Sequence, residues 1–160
     1  MTGGSFTVQL GQVHSAARAC LTDLRRKDGA IANVASAQSL ASQANVLAYT
    51  VSKHAILGLT RSMAIDFAGD NVRVNAVCPG TVDMPMLRWS ASLDPDPKSV
   101  IDACESMRQL GRIARPEEIA EIIAFLTHES ASFVTGAVWT VDGGLLTRIG
   151  GAPRTGQEQF

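Results

Sequence analysis

The chain has 160 residues, of which 46% are apolar and 18% charged, with a formal net charge of −1. That composition belongs to one ordinary globular domain with a single core. It offers no electrostatic attraction to nucleic acid or an anionic membrane, and no apolar run approaches the roughly 20 residues of a membrane helix.

In chain order, Val8, Leu10, Val13, Ala17, Leu21 and Leu24 recur at helical spacing and predict a helix over 7–26. Arg25, Arg26 and Lys27 follow where cations suit the helix dipole, and Asp28-Gly29 ends it. Residues 30–35 form a short apolar run that suits a buried strand, and the small polar residues 36–45 predict a loop. A second helix is expected over 48–67, with Val51, Ala55, Leu59 and Met63 on one face, and a second strand over 72–78, stopped by Pro79-Gly80. Residues 81–98 contain Pro85, Pro95 and Pro97 and read as a long loop with a short helix near 86–90. Helices over 98–109 and 116–127 follow, the latter opened by Pro116-Glu117-Glu118. Residues 130–135 predict a turn, 137–142 a third strand ending at Gly143-Gly144, and 148–160 a loose tail. Strands separated by helices predict an α/β fold with parallel crossovers.

The remaining sequence readings are plain. Cys20, Cys78 and Cys104 lack metal-ligand spacing and are expected to be reduced and buried in a cytoplasmic protein. The start, Met1 to Phe6, lacks the basic and apolar segments of a secretory signal. His14, His54 and His128 read as ordinary helix or loop residues, Asp94 and Asp96 as solvated, Trp139 as a packing residue, and no metal is expected.

Tyr49 and Lys53 stand four residues apart on one predicted helix face. A free phenol exchanges protons poorly at neutral pH, and a nearby ammonium favours the phenolate, which makes a Tyr a competent acid/base. Alone, such a pair is common on helix surfaces. Ser36 follows the first strand and Pro79-Gly80-Thr81 follows the second. Both therefore lie at the C-terminal edge where α/β sites gather.

Together these residues resemble the short-chain dehydrogenase/reductase family. Ser36 precedes Tyr49 by thirteen residues, within Ile31-Ala-Asn-Val-Ala-Ser36 and Tyr49-Thr-Val-Ser-Lys53. Arg73-Val-Asn75-Ala-Val-Cys-Pro79-Gly80, Gly111-Arg112 to Pro116-Glu117-Glu118-Ile119-Ala120, and Thr135-Gly136 to Val141-Asp142-Gly143-Gly144 resemble three further landmarks. The resemblance spans residues 7–146. It implies a partial Rossmann-like, doubly wound parallel sheet, supplying strands 5, 6 and 7 of the family's order 3-2-1-4-5-6-7. It implies Tyr49 as acid/base, Ser36 as the group orienting the substrate oxygen, and Lys53 favouring the phenolate and binding nicotinamide ribose. Pro79, Gly80, Thr81 and Val82 would meet the carboxamide of NAD or NADP, and residues 84–102 would form the substrate lid. The implied reaction is reversible hydride transfer between NAD(P) and a secondary alcohol or ketone. The implied assembly is a homodimer or homotetramer through helices 7–26 and 48–67 and strand 137–142.

The chain departs from the pattern in three places. No Gly-x-x-x-Gly-x-Gly turn precedes the first helix, so 1–147 is expected to be a truncated catalytic domain. Its first strand would then have an unpaired edge and uncovered apolar faces. Gln9, 27 residues before Ser36, stands where the family usually has the Asn of a proton relay, its amide about one methylene further out. Met84 replaces a hydroxyl residue, removing a hydrogen bond of about 1 kcal/mol. The alternatives are a non-catalytic fragment acting as an interaction or assembly module, and a cofactor-free lyase or epimerase using Tyr49 as base.

Overall fold

A computed structural model describes residues 4–148, with side chains from Gly11 onward. Three parallel strands, β1 (Ala30–Val34), β2 (Arg73–Pro79) and β3 (Val138–Val141), form one sheet in the order β1-β2-β3. The register pairs Ala30 with Arg73 through Val34 with Val77, and Ala76 with Val138 through Pro79 with Val141. The order follows from the right-handed crossovers that the helices between the strands impose.

Alternation along β2 divides the core. Val74, Ala76 and Cys78 face α1 (Gly4–Arg25) and α2 (Leu47–Ala68), packing with Ala17, Ile56, Leu57, Met63 and Ala64. On the other face Val77 packs with Ile119 and Leu126 of α5 (Pro116–Thr127), Trp139 and Val141. Helices therefore cover both faces of the central strand, which is buried from Val74 to Pro79 and carries apolar residues on both faces. The uncovered faces expected of β1 are covered in part: Ile31 packs against the α1–α2 cluster and α5 approaches from the other side, while Val34 stays 47% exposed. The outer edges of β1 and β3 have no strand partner among the described residues.

Other details also differ from the sequence reading. Residues 36–45 include a 3-10 turn, Ala37–Ser39, and Pro79 is the last residue of β2. Proline fits there because Gly80 supplies the next ladder bond, its N–H donating to Val141 O at 3.0 Å. The loop after β2 holds α3 (Pro85–Ala91) and leads into α4 (Pro97–Ser106). Asp96 is not merely solvated, because its carboxylate caps α4 by accepting from the Ser99 N–H at 3.2 Å. Cys20 is exposed, whereas Cys78 is buried. Trp139 packs as expected, its ring centroid 5.4 Å from that of Phe125. The tail residues 149–160 lie outside the described residues. Among the described residues no helix is long and apolar enough to cross a membrane.

The C-terminal ends of β2 and β3 approach closely at Gly80. A Cβ there would lie 2.9 Å from Asp142 Cα and 3.1 Å from its carbonyl oxygen, with backbone that cannot yield cheaply. Gly80→Ala is expected to cost about 1–3 kcal/mol through overpacking, measured by urea unfolding. Unchanged stability would show that the two strand ends separate freely.

The start of α5 is tied to this edge. Arg112 grips Glu118 with both terminal nitrogens, at 2.7 and 2.8 Å, and the Arg115 N–H donates to the same carboxylate at 2.8 Å. These contacts, the Arg112 hydrogen bond first, hold the Glu118 carboxyl down at about 2, from 4.5. A depressed folded-state value makes the stabilisation fully present above 4.5 and lost as pH falls through about 2. The melting-temperature gap between the parent and Glu118→Gln is therefore expected to be wide at neutral pH and to close across that window. A gap independent of pH would contradict the pairing.

Candidate active site

Ser36 lies two residues past β1, and Lys53 reaches back from α2 to the C-terminal end of the same strand, with the Tyr49 ring beside it. Ser36 opens the 3-10 turn after the strand and is held reciprocally: its N–H donates to Ser39 Oγ at 3.2 Å and its Oγ accepts from Gln38 N–H at 3.1 Å. This is a capping box, legible in retrospect from the Ser-x-x-Ser spacing. One lone pair of the hydroxyl is thereby fixed, and its O–H has no acceptor among the described residues.

Tyr49 and Lys53 lie in the first two turns of α2. The helix is seated on β1 by a buried bond from Asn33 Nδ2 to Thr60 Oγ1, at 2.9 Å, and Thr60 in turn donates to Ile56 O at 2.7 Å. Neither Asn33 nor Thr60 was singled out from sequence. Lys53 Nζ donates to Val34 O at 3.3 Å and lies 5.7 Å from the centroid of the Tyr49 ring. Two of its N–H bonds remain for other acceptors. Burial pulls the Lys53 ammonium below the ordinary lysine range, with the neighbouring Cys78 opposing. Burial pushes the Cys78 thiol up, with the Ser36 backbone, the Ser39 side chain and the Lys53 charge acting the other way. Cys78 thus ties β2 to the same spot as Ser36 and Lys53. The Tyr49 hydroxyl has no hydrogen-bond partner among the described residues, and Tyr49 is half-buried.

The stretch after β2 is shaped by pairing with the segment before α5. Ala114 N–H donates to Thr81 O at 3.0 Å and Asp83 N–H to Ala114 O at 2.8 Å, an isolated parallel bridge centred on Val82. Successive backbone groups in extended chain face opposite edges, so the Val82 N–H and C=O lie on the side away from Ala114. One donor and one acceptor so disposed fit a primary carboxamide, and the spare Lys53 N–H groups fit sugar hydroxyls. The residues present therefore fit the nicotinamide-ribose half of NAD(P). The Thr81 hydroxyl is turned elsewhere, accepting from Arg108, a residue the sequence reading passed over. Gln9 falls within α1, but its side chain lies outside the described residues.

Comparison with known proteins agrees with this geometry. A family described as Enoyl-(Acyl carrier protein) reductase matches residues 4–146. The cis-4-hydroxycyclohexanecarboxylate dehydrogenase of Sinomonas cyclohexanicum is 46% identical over 116 residues, 72% of this chain and 44% of that protein. The ligand-free aldohexose dehydrogenase of Thermoplasma acidophilum superposes with a TM-score of 0.87 and 36% identity, over 99% of this chain and 64% of its own. A 4-hydroxyisoleucine dehydrogenase complexed with NADH superposes with a TM-score of 0.78 and 28% identity, over 90% of this chain and 58% of its own. The chain spans about half the length, or somewhat less, of the curated relatives it matches. With its three-stranded parallel sheet and its match over residues 4–146, the chain belongs to the short-chain dehydrogenase/reductase family.

Proposed function

We propose that this chain carries the proton-transfer site of a nicotinamide-dependent oxidoreductase interconverting a secondary alcohol and a ketone. The observation that carries the reading is the half-buried Lys53 ammonium, held by Val34 O beside the Tyr49 ring, with the Ser36 hydroxyl, its proton free, two residues past Val34 in the chain. In the reducing direction Tyr49 gives its phenolic proton to the carbonyl oxygen as that oxygen gains negative charge. In the oxidising direction the Tyr49 phenolate accepts the alcohol proton. The Ser36 O–H donates to the same oxygen and fixes its position. Lys53 sets a partly desolvated positive charge beside the Tyr49 ring.

Bound NAD or NADP supplies the hydride donor or acceptor. Lys53 and Tyr49 would hold its ribose hydroxyls, and the Pro79–Val82 backbone its carboxamide. Gln9 would extend the proton path from Lys53 to water. Residues 84–102, which hold α3 and the first part of α4, serve as the substrate lid. Met86, Trp89 and Leu93 are exposed there and available to an apolar substrate face. Domain 1–147 forms a homodimer or homotetramer in the cytoplasm. Leu47 and Ile65, 79% and 77% exposed on α2, supply apolar surface for that assembly.

The related enzymes named for hydroxycyclohexanecarboxylate, aldohexose and 4-hydroxyisoleucine make ring and chain secondary alcohols the first substrates to assay. Incubation with NAD+ or NADP+ and such a panel is expected to generate reduced nicotinamide, and NADH is expected to bind in the micromolar range. Absence of both binding and turnover would reject the enzyme reading in favour of an assembly module.

A further inference from the structure

Arg108 stands apart from the other cations of the chain. It follows α4 by two residues, is only 6% exposed, and has no carboxylate within ion-pairing distance among the described residues. Burying a guanidinium without a counter-ion is costly unless hydrogen bonds replace its water. Its groups reach three elements. One terminal nitrogen donates to Cys104 O in the last turns of α4, and the other to Thr81 Oγ1 just past β2. Its Cβ and Cγ lie 3.5 Å from where a side chain on Gly143 would begin, so the stem rests on the turn after β3. Nε is buried without a partner, out of reach of solvent and therefore of any diffusible anion.

A helix cap needs only the Cys104 contact. The reach to Thr81 does something more, because Thr81 adjoins the Val82 peptide. Beside it lies a cavity of about 80 Å³, lined in part by Thr81, Leu110, Ala114 and Val141, so packing alone does not clamp this segment. We propose that Arg108 is a positioning residue, a latch from the end of α4 to Thr81 that holds the Val82 N–H and C=O in place for a carboxamide. The identity of that ligand rests on the oxidoreductase reading; the latch itself does not.

Amide hydrogen exchange on the full chain, with NADH titration, tests it using Arg108→Met, Thr81→Val and the double variant. Each single variant is expected to speed exchange at Asp83 and Ala114 about tenfold, the scale of one hydrogen bond to a charged donor. The Ala76 amide, bonded to Ala137 O in the sheet, is expected to hold its rate. NADH affinity is expected to fall about tenfold with either change, and the double variant to be no worse than Arg108→Met alone. Independent, multiplying effects, or Asp83 and Ala114 amides unaffected by Thr81→Val, would overturn the latch. Loosened amides with unchanged NADH affinity would overturn the positioning role. If Arg108→Met loosens every amide alike, Thr81→Val decides, since it exchanges a hydroxyl for a methyl in place. A parent chain that takes up no NADH refutes the oxidoreductase reading, while the exchange rates still decide the latch.

Discussion

Tyr49→Phe is expected to lower kcat by about 10²–10⁴-fold, the range supplied by a positioned acid/base, while thermal stability stays close to that of the parent. The two halves of this result have separate causes. Loss of rate follows because phenylalanine has no proton to give to a carbonyl oxygen, and Ser36 and Lys53 cannot replace it. Ser36 is held in place by the Gln38 N–H, and Lys53 is tethered to Val34 O. Stability is spared because the Tyr49 hydroxyl has no partner among the described residues, so its removal breaks no hydrogen bond. The measurement is steady-state turnover with the preferred cofactor, paired with a melting curve. Near-parental kcat would sink the assignment of Tyr49. A collapse of both activity and melting temperature would mean that the hydroxyl is needed to hold the fold rather than to pass a proton.

Asn75→Ala is expected to be the most damaging single change to stability. Asn75 is completely buried in the middle of β2, on the α5 face. Its Nδ2 donates to Val134 O at 2.8 Å and its Oδ1 accepts from Ala137 N–H at 3.0 Å. The side-chain amide thus closes the gap between β2 and the chain entering β3, alongside the Gly136 N–H bond to Val74 O at 2.7 Å. Truncation strands the Ala137 N–H and leaves the Val134 carbonyl only a 3.5 Å bond from Arg73 Nη1, and costs about 2–5 kcal/mol, a fall of roughly 5–15 °C in Tm for a domain of this size. Asn75→Asp sharpens the test. It keeps the acceptor for Ala137 N–H but sets a buried carboxylate against the Val134 carbonyl, and is expected to be no better than alanine. A variant that melts within a few degrees of the parent would show that water fills the space left by the amide.

Much of the fold was legible in the residues. Period-2 and period-3.6 patterning placed three strands and the long helices, because each element's apolar face must be buried in only one way. The 72–78 run reads as a central strand since Val74, Ala76, Val77 and Cys78 are apolar on both faces, and both faces are covered. The Ser36, Tyr49 and Lys53 spacing was visible as a motif, since a loop residue after one strand and an i, i+4 pair on the next helix are local features. What stayed hidden was non-local. The Asn33 to Thr60 and Asn75 to Val134 bonds join residues 27 and 59 apart, and an Asn in a strand carries no mark of its distant partner. The prolines were read as loop residues ahead of helices near 86–90 and 98–109, yet Pro85 and Pro97 sit at the first positions of α3 and α4, where a missing N–H costs nothing.

By itself, then, the order of residues determined the class of fold and the parallel crossover pattern, and it marked Ser36, Tyr49 and Lys53 as the candidates for proton exchange. Those depend on short-range periodicity and on chemistry that each side chain carries wherever it is placed. Only the tertiary structure decided that Lys53 rests on the Val34 carbonyl next to Cys78, that Val82 presents its peptide away from Ala114, and that Arg108 reaches across to Thr81. Desolvation and hydrogen-bond direction exist only once distant segments are brought together, and no local pattern encodes them.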